Sequence, residues 1–267
     1  MTMVDGSSTL GSATAPVVFS VDNLTVRFGA LTAVDDVTLQ VNENEVLGLI
    51  GPNGSGKSTF LNGVCGLVKA TGHVRVRGED VPLGRPGAIV RKGVVRTFQT
   101  PQVDPSLTCM ENVLVGSPDR HARGPVASWL NRPNMWKHDK ARWEEAAAAL
   151  DEVGLLSRAN VPAHGLSYGD RRLVEIARAL IARPSLLLMD EPAAGLSSGE
   201  TQRLADLLLR ICGDGIGLLI IEHKLSFLDR LVQRLVVLEM GRVIAEGTPD
   251  KVWKDPAVVA AYLGEPK

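Results

Sequence analysis

The feature that most narrows the fold of this chain is the segment Gly51-Pro52-Asn53-Gly54-Ser55-Gly56-Lys57-Ser58-Thr59. It lies between the apolar run Val46-Leu47-Gly48-Leu49-Ile50 and a helical pattern that opens near Lys57. Gly51, Gly56, Lys57 and Ser58 satisfy the spacing G-x-x-x-x-G-K-[ST] in the strand–loop–helix setting that this spacing requires. Glycines let backbone N–H groups converge on phosphate oxygens, and the helix N-terminus adds a partial positive charge. Lys57 then reaches the outer phosphates, and the Ser58 hydroxyl coordinates Mg²⁺. All nine residues are therefore candidate ligands of a nucleoside triphosphate. The loop alone leaves the reaction open.

The runs Ser185-Leu186-Leu187-Leu188-Met189 and Leu218-Leu219-Ile220-Ile221 are continuously apolar, as parallel strands covered on both faces are. Residues 200–211 carry a helical pattern between them, so the core reads as α/β. Ahead of the loop, apolar residues alternate at Leu24, Val26 and Phe28 and again at Val37, Leu39 and Val41, which predicts a half-buried antiparallel flank. Between residues 99 and 166 the character changes to helix and loop. It closes in a helix over 140–153 with Gly154 as its C-cap, which predicts a helical subdomain inserted at about 100–180. Residues 1–15, rich in Ser, Thr and Gly, read as a disordered tail.

Composition removes several function classes. Lys+Arg 29 against Asp+Glu 30 gives no electrostatic reason to expect nucleic acid as a partner. Cys65, Cys109 and Cys212 lie far apart without a C-x-x-C pair, which suggests neither a disulfide framework nor a zinc site, but buried thiols in a reducing compartment. The opening residues have no basic and apolar regions of a signal peptide, and no run of about 18 apolar residues occurs. The expectation is a cytosolic chain whose membrane attachment comes through partners.

Asp190 and Glu191 follow the strand that ends at Met189, at the carboxyl edge of a parallel sheet where ligands of such folds bind. There Asp190 can hold Mg²⁺, directly or through water, while Glu191 polarises the water that attacks the γ-phosphate. Further along, Leu166-Ser167-Tyr168-Gly169-Asp170 precedes an apolar stripe at Leu173, Ile176, Ala177, Leu180 and Ile181. Ser167 thus sits at a helix N-terminus, where Ser167 with Asp170 also satisfies the pattern of a purely structural capping box.

Taken in order, these segments resemble the ATPase subunit of ATP-binding-cassette (ABC) transporters, over nearly the whole chain from about Val18. The ordered motifs are the phosphate loop, Gln99 in Val95-Arg96-Thr97-Phe98-Gln99, the signature at Leu166 to Asp170, Met189-Asp190-Glu191-Pro192, and His223 after a strand. The resemblance implies, for residues 16–267, a P-loop NTPase core with a mostly parallel sheet, an antiparallel β flank and an inserted helical subdomain. It also implies two such domains sandwiching two ATPs head-to-tail, with Ser167 and Gly169 of one facing the γ-phosphate held by the other. In that frame Gln99 touches Mg²⁺ or the attacking water. His223 bonds a γ-phosphate oxygen, and Phe28 stacks on adenine unless it is a packed core ring. Lys57 and Glu191 complete the catalytic set.

The signature departs from many members of the family at Tyr168, where glycine is common, and at Asp170, where glutamine is common. A carboxylate at Asp170 weakens anion attraction unless Arg171, Arg172 or the cap draws it away. Ser197 stands where the family usually has Asp or Asn. Val94 to Gln99, Asp190 to Leu196 and the terminal Ala261-Tyr262-Leu263-Gly264-Glu265 resemble importers of branched-chain amino acids and related amides or urea. That group implies a second ATPase subunit, identical or different, two membrane permeases and, indirectly, an external solute-binding protein, with this chain on the inner face of the membrane. A soluble ATP-driven clamp of the same fold is the alternative. Trp129, Trp136 and Trp143, spaced by seven and interspersed with basic residues, read either as an arm toward membrane or permease or as packing within the helical subdomain.

Overall fold

The computed structural model describes residues 15–118 and 132–263, without the side chains of 132–139 and Leu263. All but the last residue of the predicted tail therefore lie outside the described residues, as do Trp129 and the side chain of Trp136; Trp143 is 47% exposed.

Strands β1 (Val17–Phe28), β2 (Leu31–Asn42), β4 (Ala70–Val76) and β5 (Glu79–Val81) make an antiparallel sheet in the order β2-β1-β4-β5. The predicted alternation is real: Leu24 and Val26 of β1, and Val37, Leu39 and Val41 of β2, are buried. A second sheet has the order β10-β9-β3-β8-β7-β6. Its members are β3 (Val46–Ile50), β6 (Val94–Thr97), β7 (Leu186–Asp190), β8 (Gly217–Ile221), β9 (Arg234–Glu239) and β10 (Arg242–Gly247). All pair in parallel except β10, which runs antiparallel to β9.

The helices are α1 (Lys57–Val64), α2 (Pro86–Arg91), α3 (Cys109–Val115), α4 (Arg132–Glu152), α5 (Tyr168–Leu180), α6 (Ser198–Gly213), α7 (Leu225–Leu231), α8 (Pro249–Val252) and α9 (Pro256–Leu263). Because strand side chains alternate in direction, the parallel sheet feeds two separate cores. Leu47, Leu49, Leu186, Leu188, Leu219 and Ile221 meet Phe60 and Leu61 of α1 and the antiparallel sheet. Val46, Ile50, Leu187, Met189, Leu218 and Ile220 meet Val113, Leu150, Ile176 and Leu208 from α3, α4, α5 and α6. Burial on both faces is why these strands are written as unbroken apolar runs. The three cysteines are free and buried.

The order β3-β8-β7-β6 has a direct consequence for chemistry. It sets the loops after four adjacent parallel strands along one carboxyl edge: the phosphate loop, His223, Glu191 and Gln99.

Candidate functional site

The phosphate loop joins β3 to α1 through two glycines with no room for a side chain. A Cβ on Gly51 would lie 2.0 Å from the Leu238 carbonyl oxygen, and one on Gly56 2.5 Å from that of Ala33; both also hold positive φ. Gly56 caps α1 without a side-chain hydrogen bond, and the first turn of α1 carries no acidic residue. Those N–H groups therefore face the loop without an anion from the chain itself, as an anion site requires. Lys57 Nζ donates to the carbonyls of Gly51 at 2.8 Å and Pro52 at 2.9 Å. Burial draws its pKa below the ordinary lysine value, while the carboxylates of Glu191 and Asp190 pull it back up.

Residues Asn53 to Thr59 line a cleft of about 210 Å³ together with Ala33, Glu191, Ile221 and His223. Glu191 holds φ at 47°, a left-handed conformation that costs a non-glycine residue on the order of 1–3 kcal/mol. Its N–H donates to Ile221 O at 2.8 Å, which fixes the turn. Both carboxylate oxygens of Glu191 are engaged: Gln99 Nε2 donates to Oε2 at 2.8 Å, and His223 Nε2 lies 3.3 Å from Oε1. One step behind them, buried Glu222 accepts from the N–H groups of Ala193 at 3.1 Å and His223 at 3.2 Å, joining the turns that follow β7 and β8.

Asp190 Oδ2 accepts from Arg96 at 3.0 Å, and Arg96 also donates to Asn62 Oδ1 on α1 at 2.6 Å. Phe28 ends β1 at 51% exposure opposite Leu31, at 65%, so it is not a packed core ring.

Ser167 and Gly169 do not line the cleft. They open α5, where Ser167 Oγ accepts from the Asp170 N–H at 3.0 Å. Only that half of the predicted capping box forms, because the Asp170 carboxylate turns to Arg158 at 2.6 Å instead of back to the cap. Arg158, and not Arg171 or Arg172, is thus the cation that draws Asp170 away. Tyr168 packs its ring on Gly195 and donates its hydroxyl to Gln99 O at 3.1 Å. Arg172 bonds the Phe98 and Gln99 carbonyls and pairs with Glu175 at 2.7 Å, and Glu175 Oε1 accepts from Gln102 N at 3.2 Å. Ser197 caps α6 in a reciprocal box with Glu200, so its hydroxyl is already engaged within the chain.

Arg96, Glu222 and the Arg172–Glu175 pair are parts of this network that the sequence reading did not single out for it. Each carried a faint signal: a lone charge in an apolar strand, a carboxylate closing another, and opposite charges at i, i+3 beside an apolar stripe.

Residues 34–194 match the family model described as ABC transporter, and residues 242–267 match one described as branched-chain amino acid ATP-binding cassette transporter. The high-affinity branched-chain amino acid transport ATP-binding protein BraF of Pseudomonas aeruginosa is 39% identical over 251 residues, spanning 93% of this chain and 98% of that protein. A nucleotide-free ATP-binding cassette from an ABC transporter superposes with a TM-score of 0.80 at 35% identity, covering 93% of this chain and all of the other. A cassette of an ABC transporter solved in its ADP conformation superposes with a TM-score of 0.79, also at 35% identity, covering 93% of this chain and 99% of the other.

Proposed function

The chain belongs to the ABC transporter family of ATP-binding, ATP-hydrolysing subunits, and from that premise we propose that it energises import of branched-chain amino acids or related amides through membrane permeases. The terminal match at residues 242–267 and the BraF likeness support the substrate class. No helix among the described residues is long and apolar enough to cross a membrane, so translocation belongs to partner chains, with this one held against the inner face. A second ATPase subunit, identical or different, pairs with it head-to-tail, and the external solute-binding protein acts at one remove.

The observation that carries the mechanism is the convergence of Gln99 and His223 on Glu191 beside the phosphate loop. Glu191 is the general base for the attacking water, and His223 orients that water against the γ-phosphate. Lys57 exchanges its loop carbonyls for the outer phosphates, the loop N–H groups cradle them, and Phe28 stacks on adenine. Ser58, Asp190 and the Gln99 amide oxygen are hard donors suited to Mg²⁺, which takes one or two carboxylates and leaves other positions to phosphate and water. When bound, the metal neutralises charge between the outer phosphates.

In the single chain each oxygen of Glu191 is held by one neighbour, Gln99 and His223, and a hydrogen bond donated to a carboxylate lowers its basicity toward the attacking water. The trigger for release is the partner's signature helix, whose counterparts of Ser167 and Gly169 approach the nucleotide from outside the cleft. Withdrawal of Gln99 from Glu191 and closure of the dimer are then one event, and a lone chain hydrolyses slowly. Affinity capture from detergent-solubilised native membranes tests the assignment. Two polytopic permeases and a second ATPase are expected, whereas reproducible recovery without any membrane protein would leave a soluble clamp as the better reading.

A further inference from the structure

Arg96 has no place in the roles assigned so far, yet it is the cation nearest the proposed metal carboxylate in these contacts. Its side chain is 9% exposed and that of Asp190 13%, so the pair is largely out of water. The guanidinium is held on three sides. Asn62 Oδ1 accepts at 2.6 Å, Asp190 Oδ2 accepts at 3.0 Å, and the Phe98 ring lies under it with 5.1 Å from guanidinium carbon to ring centroid. Its Nε, also buried, makes no hydrogen bond of normal geometry, and the buried Cys65 thiol, a weak acceptor, is a further neighbour of the guanidinium. Burying a guanidinium with a poorly met donor is a costly way to fill space between β6 and α1. A purely packing role is better served by an apolar residue.

We propose that Arg96 is a positioning residue that acts as a built-in counter-charge on Asp190, orienting its carboxylate and weakening its hold on the divalent cation that accompanies the nucleotide. The inference rests on the reading of Asp190 as a metal-holding residue. A positive charge beside one carboxylate oxygen lowers the negative potential that a metal meets at the other, and low local dielectric makes the effect large. Metal and spent nucleotide are then released instead of being retained. Asn62 ties the same guanidinium to the helix that follows the phosphate loop, and Phe98 ties it to the segment carrying Gln99, so the counter-charge keeps its place as those parts move.

The test reads binding and not turnover. For the purified full chain, the dissociation constant of a fluorescent ATP analogue is measured in EDTA and in excess Mg²⁺. The ratio of the two is the factor by which metal tightens the nucleotide. Arg96→Gln should raise that factor about fivefold, because the competing charge is gone. Arg96→Lys, which keeps the charge, should stay within about twofold of wild type. An unchanged or lowered factor for Arg96→Gln, or the same rise for Arg96→Lys, overturns the proposal. If Arg96→Gln does not fold, Arg96→Met reads the same quantity: it also removes the charge and should raise the factor about fivefold, and no change overturns the proposal. Asp190→Asn separates the two layers. It should collapse the factor, and a wild-type factor there would remove Asp190 from the metal site itself.

Discussion

Two helices in this molecule begin where a phosphate is proposed to sit, and they are finished in opposite ways. The N-terminus of α1 has a glycine cap, no side-chain cap bond and no acidic residue in its first turn. The N-terminus of α5 is closed by Ser167, carries Asp170 paired to Arg158, and sends Tyr168 and Arg172 to the Gln99 backbone. The first end is left open for an anion and, in the proposed reading, takes the nucleotide of its own chain. The second is satisfied at home and wired to Gln99, so in the proposed dimer it would report on a partner's nucleotide as much as bind it. Anion sites and signalling sites share a location on a helix, and they differ in whether the chain supplies its own hydrogen-bond partners.

The sharpest way to break this comparison is at the carboxylate where the two ends meet. Glu191→Gln should lower turnover about 10²–10⁴-fold while retaining ATP and trapping closed dimers. Single-turnover hydrolysis and size-exclusion chromatography read the two effects, and near-wild-type turnover would remove Glu191 from the general-base role.

Next comes the wiring of α5. Arg172→Met leaves Glu175 buried without its cation and should cost about 3–5 kcal/mol in urea unfolding. Burial already raises the Glu175 pKa above the usual carboxylate value, with Arg172 pulling it down. A raised folded pKa means that its stability contribution is present in acid and lost as pH rises through that pKa. The deficit of Arg172→Met should therefore be largest at neutral pH and shrink on acidification; a pH-independent deficit would mean that lost packing, not the stranded charge, dominates.

Tyr168→Phe removes one hydrogen bond, a change of about 0.5–1.5 kcal/mol. If α5 reports through Gln99, it should alter kcat in the assembled transporter and leave the KM for ATP unchanged, whereas a shift in KM alone would mark Tyr168 as a ligand-binding residue. The smallest effect is expected at Arg158→Ala. Its partly exposed pair with Asp170 is worth about 0.2–1 kcal/mol, and losing it should slow dimer formation slightly by leaving an unpaired carboxylate at the signature. Association rates at low and high salt read this, and an effect that does not fade with salt would exclude an electrostatic origin.

The nucleotide end of this comparison was legible in the sequence and the signalling end was not, for a physical reason. The phosphate loop, Asp190-Glu191 and the buried strands follow from local spacing and apolar runs, because backbone geometry over a few residues decides them. Ser167 as a cap was also local. Arg172 and Glu175 flank a good apolar stripe and look like its polar margin. Their partners are carbonyl and N–H groups at Phe98, Gln99 and Gln102, more than seventy residues away. Glu222 and Arg96 are alike in this, since their meaning comes from neighbouring strands in the sheet. The sequence expectations do not include β9 and β10, although Leu235 to Leu238 are as buried as any residues of the core.

The division of the parallel sheet between two cores has an evolutionary corollary. Each of β3, β7, β8 and β9 sends alternate residues to opposite faces, so a single inserted or deleted residue in any of them would exchange its two sets of side chains. In β7 the same shift would turn Asp190 and Glu191 away from their places at the edge. Positions at the helix ends around the site can thus change by substitution, as the departures at Tyr168, Asp170 and Ser197 illustrate, while a change in the length of the strands beneath would reverse both cores. Novelty in such a chain has to enter through the connections between strands.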